Sequence, residues 1–246
     1  MEDPKLDFTG DNPGAVRHGN FINYYQFHPA SERIQKLPLD IWTHPSSDKI
    51  VCLDVGCNTG ELTVELLRFL QANLRTTNEK IPKIQMVGVD LDPVLISRAN
   101  EQFTDVENIE FKTLDVMKED SLSHLESVAA KHGCSRFSAV FLMSVTMWVH
   151  LTSGDKAFHL FLKNTANLAE KWVVIESQPW KCYRNAQRRL ISSGGRGFEL
   201  YSKLTVKGVQ IPKFVDKVLC DECGMKKIFE TDPTKWNRTI CIYEKY

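Results

Sequence analysis

Short apolar runs alternate with helical patterns from residue 49 onward. Consecutive apolar residues predict strands that are buried on both faces, at Ile50–Val55, Met86–Val89, Ile109–Leu114, Ala139–Met143 and Val173–Glu176. Apolar residues at helical spacing predict helices over Glu61–Leu74, Pro93–Phe103, Leu122–Lys131, about Asp155–Leu168, Lys181–Ile191 and Ile211–Asp221. Late strands are predicted around Ile228 and over Ile240–Tyr243. This alternation indicates an α/β fold with a doubly wound, mostly parallel sheet.

Length and composition narrow the class of protein. The chain has 246 residues, of which 42% are hydrophobic and 25% charged, which is typical of one globular domain or two small ones. No apolar run approaches the roughly 18–20 residues that span a bilayer. The acidic start lacks the apolar stretch of a signal peptide. Seven cysteines, an odd number, indicate reduced thiols in a cytosolic or nuclear protein.

The charge is balanced overall but unevenly distributed. Residues 178–207 hold seven basic side chains and one acidic side chain, whereas residues 1–12 hold four acids and one base. An anionic partner is expected to meet the first of these stretches. The alternative is a solvated helix face. Residues 1–16 show no periodicity and are predicted to form a flexible acidic arm, ahead of a single domain over 17–246.

The first predicted strand runs into a glycine-containing turn, Asp54-Val-Gly-Cys-Asn-Thr-Gly60. A strand, a glycine turn and a helix let backbone approach a ligand closely. A dinucleotide site would show G-x-G-x-x-G, but Asn58 takes the middle place and the third glycine is absent. This argues against a nicotinamide dehydrogenase. The acid two residues before Gly56 instead resembles the turn of class I S-adenosylmethionine methyltransferases.

Acids follow the next two predicted strands. Asp90, at the tip of the second strand and followed by Leu91, is suited to accept hydrogen bonds from ribose hydroxyls. Asp92 precedes Pro93 and is better placed as a helix N-cap. Asp115 ends the third strand, where it can accept from an adenine amino group while Val116 packs on the ring. Taken alone, Asp115 is equally well explained as a turn acid.

Four motifs in order complete the pattern. They are Gly19-Asn-Phe-Ile-Asn-Tyr-Tyr-Gln-Phe-His28, the glycine turn, Ser144-Val-Thr-Met-Trp-Val-His-Leu151 with Gly154-Asp155, and Gln178-Pro-Trp-Lys-Cys-Tyr-Arg184. From about residue 19 to the C-terminus the chain resembles the bicoid-interacting-protein-three family of RNA methyltransferases. The resemblance implies the class I fold, S-adenosyl-L-methionine as cofactor, S-adenosyl-L-homocysteine as product, and methylation of an RNA 5′ phosphate.

Two positions favour one branch of that family. The family resemblance implies that a capping branch, which acts on the γ-phosphate of triphosphorylated RNA, has Arg at the position of His28 and Lys at the position of Met147. The resemblance therefore implies the shorter, cytoplasmic branch, which methylates the 5′ monophosphate of small RNAs such as histidine tRNA and microRNA precursors. It also implies a monomer without membrane association. Three alternatives stay open: the capping activity, a small-molecule methyltransferase, and a non-catalytic RNA-binding module.

The resemblance also assigns roles to residues. The segment 17–48 is expected to cover substrate and cofactor. The residues expected to bind the cofactor are Arg33, Asp54, Gly56, Asn58, Gly60, Asp90, Leu91, Asp115, Val116 and Met143, with Arg33 paired to the methionine carboxylate. Those expected to position the phosphate are Tyr24, His28, Lys181 and Tyr183. An RNA track is expected from Trp180, Arg184, Arg188 and Arg189. Lys181, Arg184 and Arg188, at i, i+3 and i+7, share one helix face, Arg189 lies close by, and Trp180 or Tyr183 can stack on a terminal base.

Other candidate sites are weaker. Cys220-Asp-Glu-Cys223 suggests zinc, but a structural zinc needs four ligands and no second Cys or His pair follows, so no metal is predicted. His150 and His159 are interpreted as structural. A phosphate monoester is already a nucleophile, so a Ser-His-Asp or Cys-His set is not required.

Overall fold

A seven-stranded sheet organises the protein, whose computed structural model describes residues 16–44 and 49–245. Its strands are β2 (Lys49–Val55), β4 (Lys83–Asp90), β5 (Ile109–Thr113), β6 (Phe137–Met143), β7 (Ala169–Glu176), β8 (Met225–Glu230) and β9 (Ile240–Lys245). Their order is β5-β4-β2-β6-β7-β9-β8. The strands from β5 to β7 are parallel, and β9 runs antiparallel to both neighbours. A two-residue parallel pair, β1 (Thr43–His44) with β3 (Arg75–Thr76), lies apart.

Helices cover both faces of this sheet. They are α1 (Tyr24–Phe27), α2 (Ala30–Ile34), α3 (Glu61–Asn73), α4 (Pro93–Gln102), α5 (Ser121–Lys131), α6 (Thr146–Leu168), α7 (Trp180–Ser192) and α8 (Gln210–Asp216), which continues as a π-helical turn over Lys217–Glu222. Alternate strand residues point to opposite faces. Leu53 and Val140 pack in the cluster that includes α5 and α6 residues, whereas Cys52 and Phe141 pack in the one that includes α3 residues. The predicted doubly wound fold is confirmed.

The chain order reverses at β2, which lies between β4 and β6. In such sheets ligands bind outside the carboxyl ends of the strands at this switch point. The turns after β2, β4 and β6 therefore frame the expected site. Among the described helices, none combines the length and the apolar character needed to cross a membrane.

The predicted elements all recur, with differences at their ends. The largest concerns α6, which begins at Thr146 and not near Asp155. Gly154 interrupts it with φ 79° and ψ 178°, so two helical pieces meet at a kink. A glycine tolerates this conformation, whereas other residues are strained by it. The sequence pattern detected only the second piece.

The predicted acidic arm falls largely outside the described residues, which begin at residue 16. Its last residue, Val16, is 5% exposed and packs in an apolar cluster with Trp148, Leu190 and Phe198. The burial of this apolar side chain places residue 16 against the domain.

Candidate functional site

The glycine turn after β2 has the conformation that its sequence predicts. Gly56 (φ 77°), Asn58 (φ 52°) and Gly60 (φ 84°) all have positive φ. A Cβ at Gly56 would lie 3.0 Å from Val145, and one at Gly60 would lie 2.5 Å from the Phe111 ring. Glycine is required at both positions because of backbone conformation and of space. Gly60 is the N-cap residue of α3, so backbone N–H groups at the start of that helix face the turn.

Two buried carboxylates flank this turn. Asp90 Oδ2 accepts from the Asn58 N–H and its Oδ1 from the Asp92 N–H, each at 3.0 Å. Asp54 Oδ2 accepts from the Thr63 hydroxyl at 2.7 Å, while its Oδ1 is buried with no hydrogen-bond partner among the described residues. Burial raises the pKa of Asp54 and that of Asp90 to about 6. Both groups would gain from further donors.

The other predicted cofactor residues line the same edge. Asp92 caps α4 by accepting from the Val94 N–H at 2.9 Å, as predicted. Asp115 accepts from the N–H of Met117 at 3.0 Å, which is the turn contact that the sequence left open. Half-buried side chains at this edge are Leu91, Asp115 and Val116. Met143, which ends β6, is 5% exposed.

The segment before α2 lies against the glycine turn. Hydrogen bonds run from Asn58 Nδ2 to the Phe21 carbonyl (2.9 Å), from Asn20 Nδ2 to Asp92 Oδ2 (2.8 Å), and from the Tyr25 hydroxyl to the Cys57 carbonyl (3.1 Å). These contacts support the expectation that part of 17–48 covers the site. Residues 45–48 lie outside the described chain.

Five side chains, here named the guanidinium cluster, meet beside the turn: Tyr24, Arg33, Ser144, Glu176 and Arg238. The fully buried Arg33 donates through Nε and Nη2 to Glu176 Oε2 at 3.1 and 3.0 Å. Arg238 Nη1 donates to Ser144 Oγ at 2.6 Å and lies 3.7 Å from the same carboxylate oxygen. Ser144 also bonds Glu176. Burial opposes ionisation of Glu176, but Arg33 and Arg238 hold its pKa below the ordinary value.

This arrangement gives Arg33 hydrogen-bond partners within the chain itself. The resemblance implied that its guanidinium pairs with the methionine carboxylate of the cofactor. In the structure, Nε and Nη2 bind Glu176, Nη2 also donates to the Tyr24 hydroxyl at 2.5 Å, and Nη1 donates to the His28 carbonyl at 3.1 Å. The carboxylate partner of Arg33 in this structure belongs to the chain itself, and its pairing with the methionine carboxylate of the cofactor stays a prediction.

His28 lies at the edge of the guanidinium cluster. Its ring stacks on Tyr24 at 4.9 Å between centroids and meets Trp236 edge to face at 4.9 Å. Burial, together with the charges of Arg238 and Arg33, lowers the pKa of His28 to about 4. The imidazole is therefore neutral at pH 7. Its Nδ1 is buried and has no hydrogen-bond partner among the described residues.

The α7 cations follow the predicted face. Lys181, Arg184 and Arg188 are all exposed, as spacing of i, i+3 and i+7 requires. Arg189 differs, since it is half-buried and its guanidinium lies 5.8 Å from the centroid of the Phe21 ring. It therefore connects α7 to the segment 17–48, here named the covering segment.

Tyr183, which was predicted to donate to a phosphate, lies in a buried position. Its side chain is 1% exposed, and its hydroxyl lies 3.2 Å from His150 Nδ1 in the apolar packing of α6 against α7. His150 Nε2 in turn lies 2.7 Å from Asp155, so the structural interpretation of this histidine is supported. Trp180 stacks on Tyr183 and Tyr201 at 4.9 and 5.5 Å. The ring surface predicted to stack on a base is thus used within the chain.

The remaining candidates contribute little. Met147 is 3% exposed and packs among apolar side chains. Cys220 and Cys223 lie at the π-helical turn and its end. No group of three or more metal-ligating side chains occurs within residues 16–44 and 49–245.

Sequence reasoning did not single out Ser144, Glu176 or Arg238 for a role in the site. Ser144 stood inside a quoted motif, and its φ of 66° is a strained conformation common at functional sites. Glu176 ends a predicted strand, where polar residues of parallel sheets converge. Arg238 carries no sequence signal, because it reaches the site through the loop between β8 and β9.

Comparisons with known proteins identify relatives of this chain. A sequence model described as Bicoid-interacting protein 3 (Bin3) matches residues 137–245. The chain is 36% identical over 242 residues to a pre-miRNA 5′-monophosphate methyltransferase of Danio rerio, covering 96% of this chain and 94% of the relative. It is 34% identical over 239 residues to an RNA 5′-monophosphate methyltransferase of Homo sapiens, covering 94% and 81%.

A solved structure is similar in fold. Magnesium protoporphyrin IX methyltransferase of Synechocystis PCC 6803, with bound S-adenosylhomocysteine, matches with a TM-score of 0.53 at 13% identity, covering 92% of this chain and 85% of the other. At this identity the likeness concerns the architecture alone. The glycine turn and its two carboxylates lie at the edge of the sheet where the switch point places them.

Proposed function

The chain belongs to the Bicoid-interacting protein 3 family, and we propose that it transfers a methyl group from S-adenosylmethionine to the 5′ monophosphate of RNA. One observation carries this proposal. A nucleotide-type turn with two buried carboxylates lies beside a cluster that holds two guanidinium groups, and Val145, which follows Ser144 of that cluster, lies against Gly56 of the turn. Such a site offers acceptors for a nucleoside on one side and positive charge for a phosphate on the other.

The residues at the turn fit the cofactor. Asp54 Oδ1 is buried and lacks a donor among the described residues, and Asp90 presents a 7% exposed carboxylate at the tip of β4. Hydroxyl and amino groups of a nucleoside are donors of the kind that these oxygens require. We assign Asp90 to the ribose, with Asn58, Asp115, Val116 and Met143 around the nucleoside. S-adenosylmethionine would supply a methyl group already activated on a sulfonium.

The chain's own residues need only hold the phosphate in line and exclude water. A phosphate monoester carries about −1.5 to −2 charges near pH 7 and is itself the nucleophile. Tyr24 belongs to the guanidinium cluster and His28 stacks on it, while the exposed Lys181 lies in the first turn of α7. A neutral His28 holds the anion without adding a proton to the attacking oxygen.

The finer features are proposals of the same kind. Small RNAs, including histidine tRNA and microRNA precursors, are the proposed substrates, and relatives are named for pre-miRNA. We propose a cytoplasmic location, because all seven thiols are free in the described residues, as in a reducing compartment. A monomer is proposed, as expected from the sequence. The domain is proposed to span 17–246.

Methyl transfer to synthetic RNAs that differ only at the 5′ end tests the function. With labelled cofactor we expect transfer to the 5′-monophosphate RNA, none to the 5′-hydroxyl RNA, and poor transfer to the 5′-triphosphate RNA. The hydroxyl lacks the anionic nucleophile, and the triphosphate brings charge that a neutral His28 and a buried Met147 do not pair.

The three ends also separate the alternatives. Equal rates on monophosphate and triphosphate would contradict the monophosphate specificity. RNA binding without transfer to any end would identify a binding module, and transfer to small molecules alone would identify a different methyltransferase.

The RNA track is tested by charge removal on α7. Arg184→Ala and Arg188→Ala are each expected to weaken RNA binding and to lower the salt slope by about one counterion, because both side chains are exposed on one face. Affinity for S-adenosylhomocysteine should stay unchanged. Fluorescence titrations at several salt concentrations measure both effects, with the exposed Arg68→Ala on α3 as the control. If the affinity for RNA and its salt slope both stay unchanged, this face of α7 is a solvated helix face that does not bind RNA.

A further inference from the structure

Arg238 is held rigidly at the guanidinium cluster. The loop between β8 and β9 folds back on itself, since the Arg238 N–H donates to Thr234 Oγ1 at 3.1 Å and the Thr234 N–H to the Arg238 carbonyl at 2.8 Å. The guanidinium is fixed by Nη1, which donates to Ser144 Oγ at 2.6 Å and to the Tyr24 hydroxyl at 3.2 Å. The side chain is therefore preorganised before any ligand arrives.

The cluster carries more positive than negative charge. Glu176 Oε2 lies 3.0 Å from Arg33 but 3.7 Å from Arg238, and Glu176 Oε1 accepts from Trp236 Nε1 at 3.0 Å. The carboxylate therefore forms its close ion pair with Arg33, whereas its distance to Arg238 is too long for a hydrogen bond. One positive charge is left in excess among the five side chains, and a partly buried charge of this kind needs a counterion.

Unused hydrogen-bonding groups accompany this charge. Arg238 Nε is buried with no partner among the described residues, and so is His28 Nδ1. The Tyr24 hydroxyl oxygen accepts from both guanidinium groups, at 2.5 and 3.2 Å, so its own proton is left to donate elsewhere. Buried polar groups are rarely left unpaired except at functional sites. Arg238, Tyr24 and His28 together supply a cation, a donor and a neutral imidazole.

We propose that Arg238 is the cation that binds the 5′ phosphate of the RNA and gives the site its preference for a phosphorylated over a hydroxyl end. The inference rests on the proposed function. About a tenth of the Arg238 surface is exposed (9%), which leaves it accessible to a ligand. Ser144, which binds Arg238, also accepts through its carbonyl from Gln178 Nε2, two residues before α7 begins, so the site lies next to the helix that carries the proposed RNA track.

The test compares binding of two RNAs that differ only in a 5′ phosphate or a 5′ hydroxyl. For the wild type we expect tighter binding of the phosphorylated RNA. Arg238→Ala should reduce the ratio of the two affinities about tenfold or more, since a charge-assisted hydrogen bond is lost. Arg238→Lys should retain part of the ratio because it keeps the charge. Arg238→Gln, which keeps a donor for Ser144, replaces the alanine variant if that one does not fold.

Two readouts distinguish this role from others. If Arg238 only stabilises the fold, the variants lower the melting temperature and leave the affinity ratio unchanged, which overturns the proposal. Weaker binding of S-adenosylhomocysteine with an unchanged ratio overturns it too, because Arg238 would then bind the cofactor. Arg68→Ala controls for net charge. A wild type that transfers no methyl group and does not distinguish the two RNAs refutes the proposed function as well. If the wild type transfers a methyl group and distinguishes the two RNAs, while the Arg238 variants keep the same ratio of affinities, only the assignment of Arg238 is refuted.

Discussion

Replacing Glu176 by alanine is expected to lower the free energy of unfolding by about 3–5 kcal/mol, the cost of removing one partner from a buried ion pair. The Glu176 carboxylate is fully buried and binds Arg33, Ser144 and Trp236. Without it, two guanidinium groups, each at most about a tenth exposed, face each other with no carboxylate between them. Their repulsion adds to the loss of hydrogen bonds.

Urea denaturation followed by circular dichroism measures this change. Glu65→Ala is the matched control, because Glu65 pairs with Arg68 on the exposed side of α3, where such pairs contribute only about 0–1 kcal/mol. Glu176→Gln should fall between the two variants, since the amide keeps an acceptor for Trp236 but loses the charge. A loss below about 1 kcal/mol for Glu176→Ala would show that the two arginines do not depend on this carboxylate.

Replacing Asp90 by alanine is expected to weaken binding of S-adenosylhomocysteine at least tenfold. Two ribose hydrogen bonds to a buried carboxylate would be lost, each worth about 1.5–3 kcal/mol when charge-assisted. Asp90 also accepts from the backbone N–H groups of Asn58 and Asp92. Its removal therefore also loosens the turn that approaches the cofactor, and both effects act in the same direction.

Isothermal titration calorimetry provides the measurement. Asp90→Asn keeps one acceptor oxygen and should lose less affinity than the alanine variant. The control is Asp105→Ala, which also removes one acidic side chain. Asp105 is exposed in the loop after α4, so the affinity for S-adenosylhomocysteine should stay unchanged. If Asp90→Ala binds as tightly as the wild type, the ribose is held elsewhere and the assignment of Asp90 is refuted.

The architecture followed from local patterns. Buried parallel strands give unbroken apolar runs, and every residue of β6 is indeed buried. The piece of α6 before Gly154 escaped the pattern because His150 interrupts its apolar spacing while being fully buried through bonds to Tyr183 and Asp155. Burial of a polar side chain by a tertiary contact is not visible in a hydrophobic pattern.

The site was predictable where one stretch of chain forms it. The glycine turn and the Asp92 N-cap of α4 are each formed by residues close together in sequence, and both lie where the sequence predicts them. The burial of Tyr183 is visible in the helical pattern, since Lys181 and Arg184 mark the exposed face of α7 while Tyr183 and Leu190 share the opposite one. Arg238 could not be predicted, because only the folded sheet brings it to Arg33 and Glu176.

The covering segment touches both halves of the proposed site. Asn20 and Phe21 bond the glycine turn, and a few residues later Tyr24 bonds the two arginines of the guanidinium cluster. Because one short segment makes both sets of contacts, we expect that a substitution which loosens this segment at the glycine turn also loosens it at the guanidinium cluster.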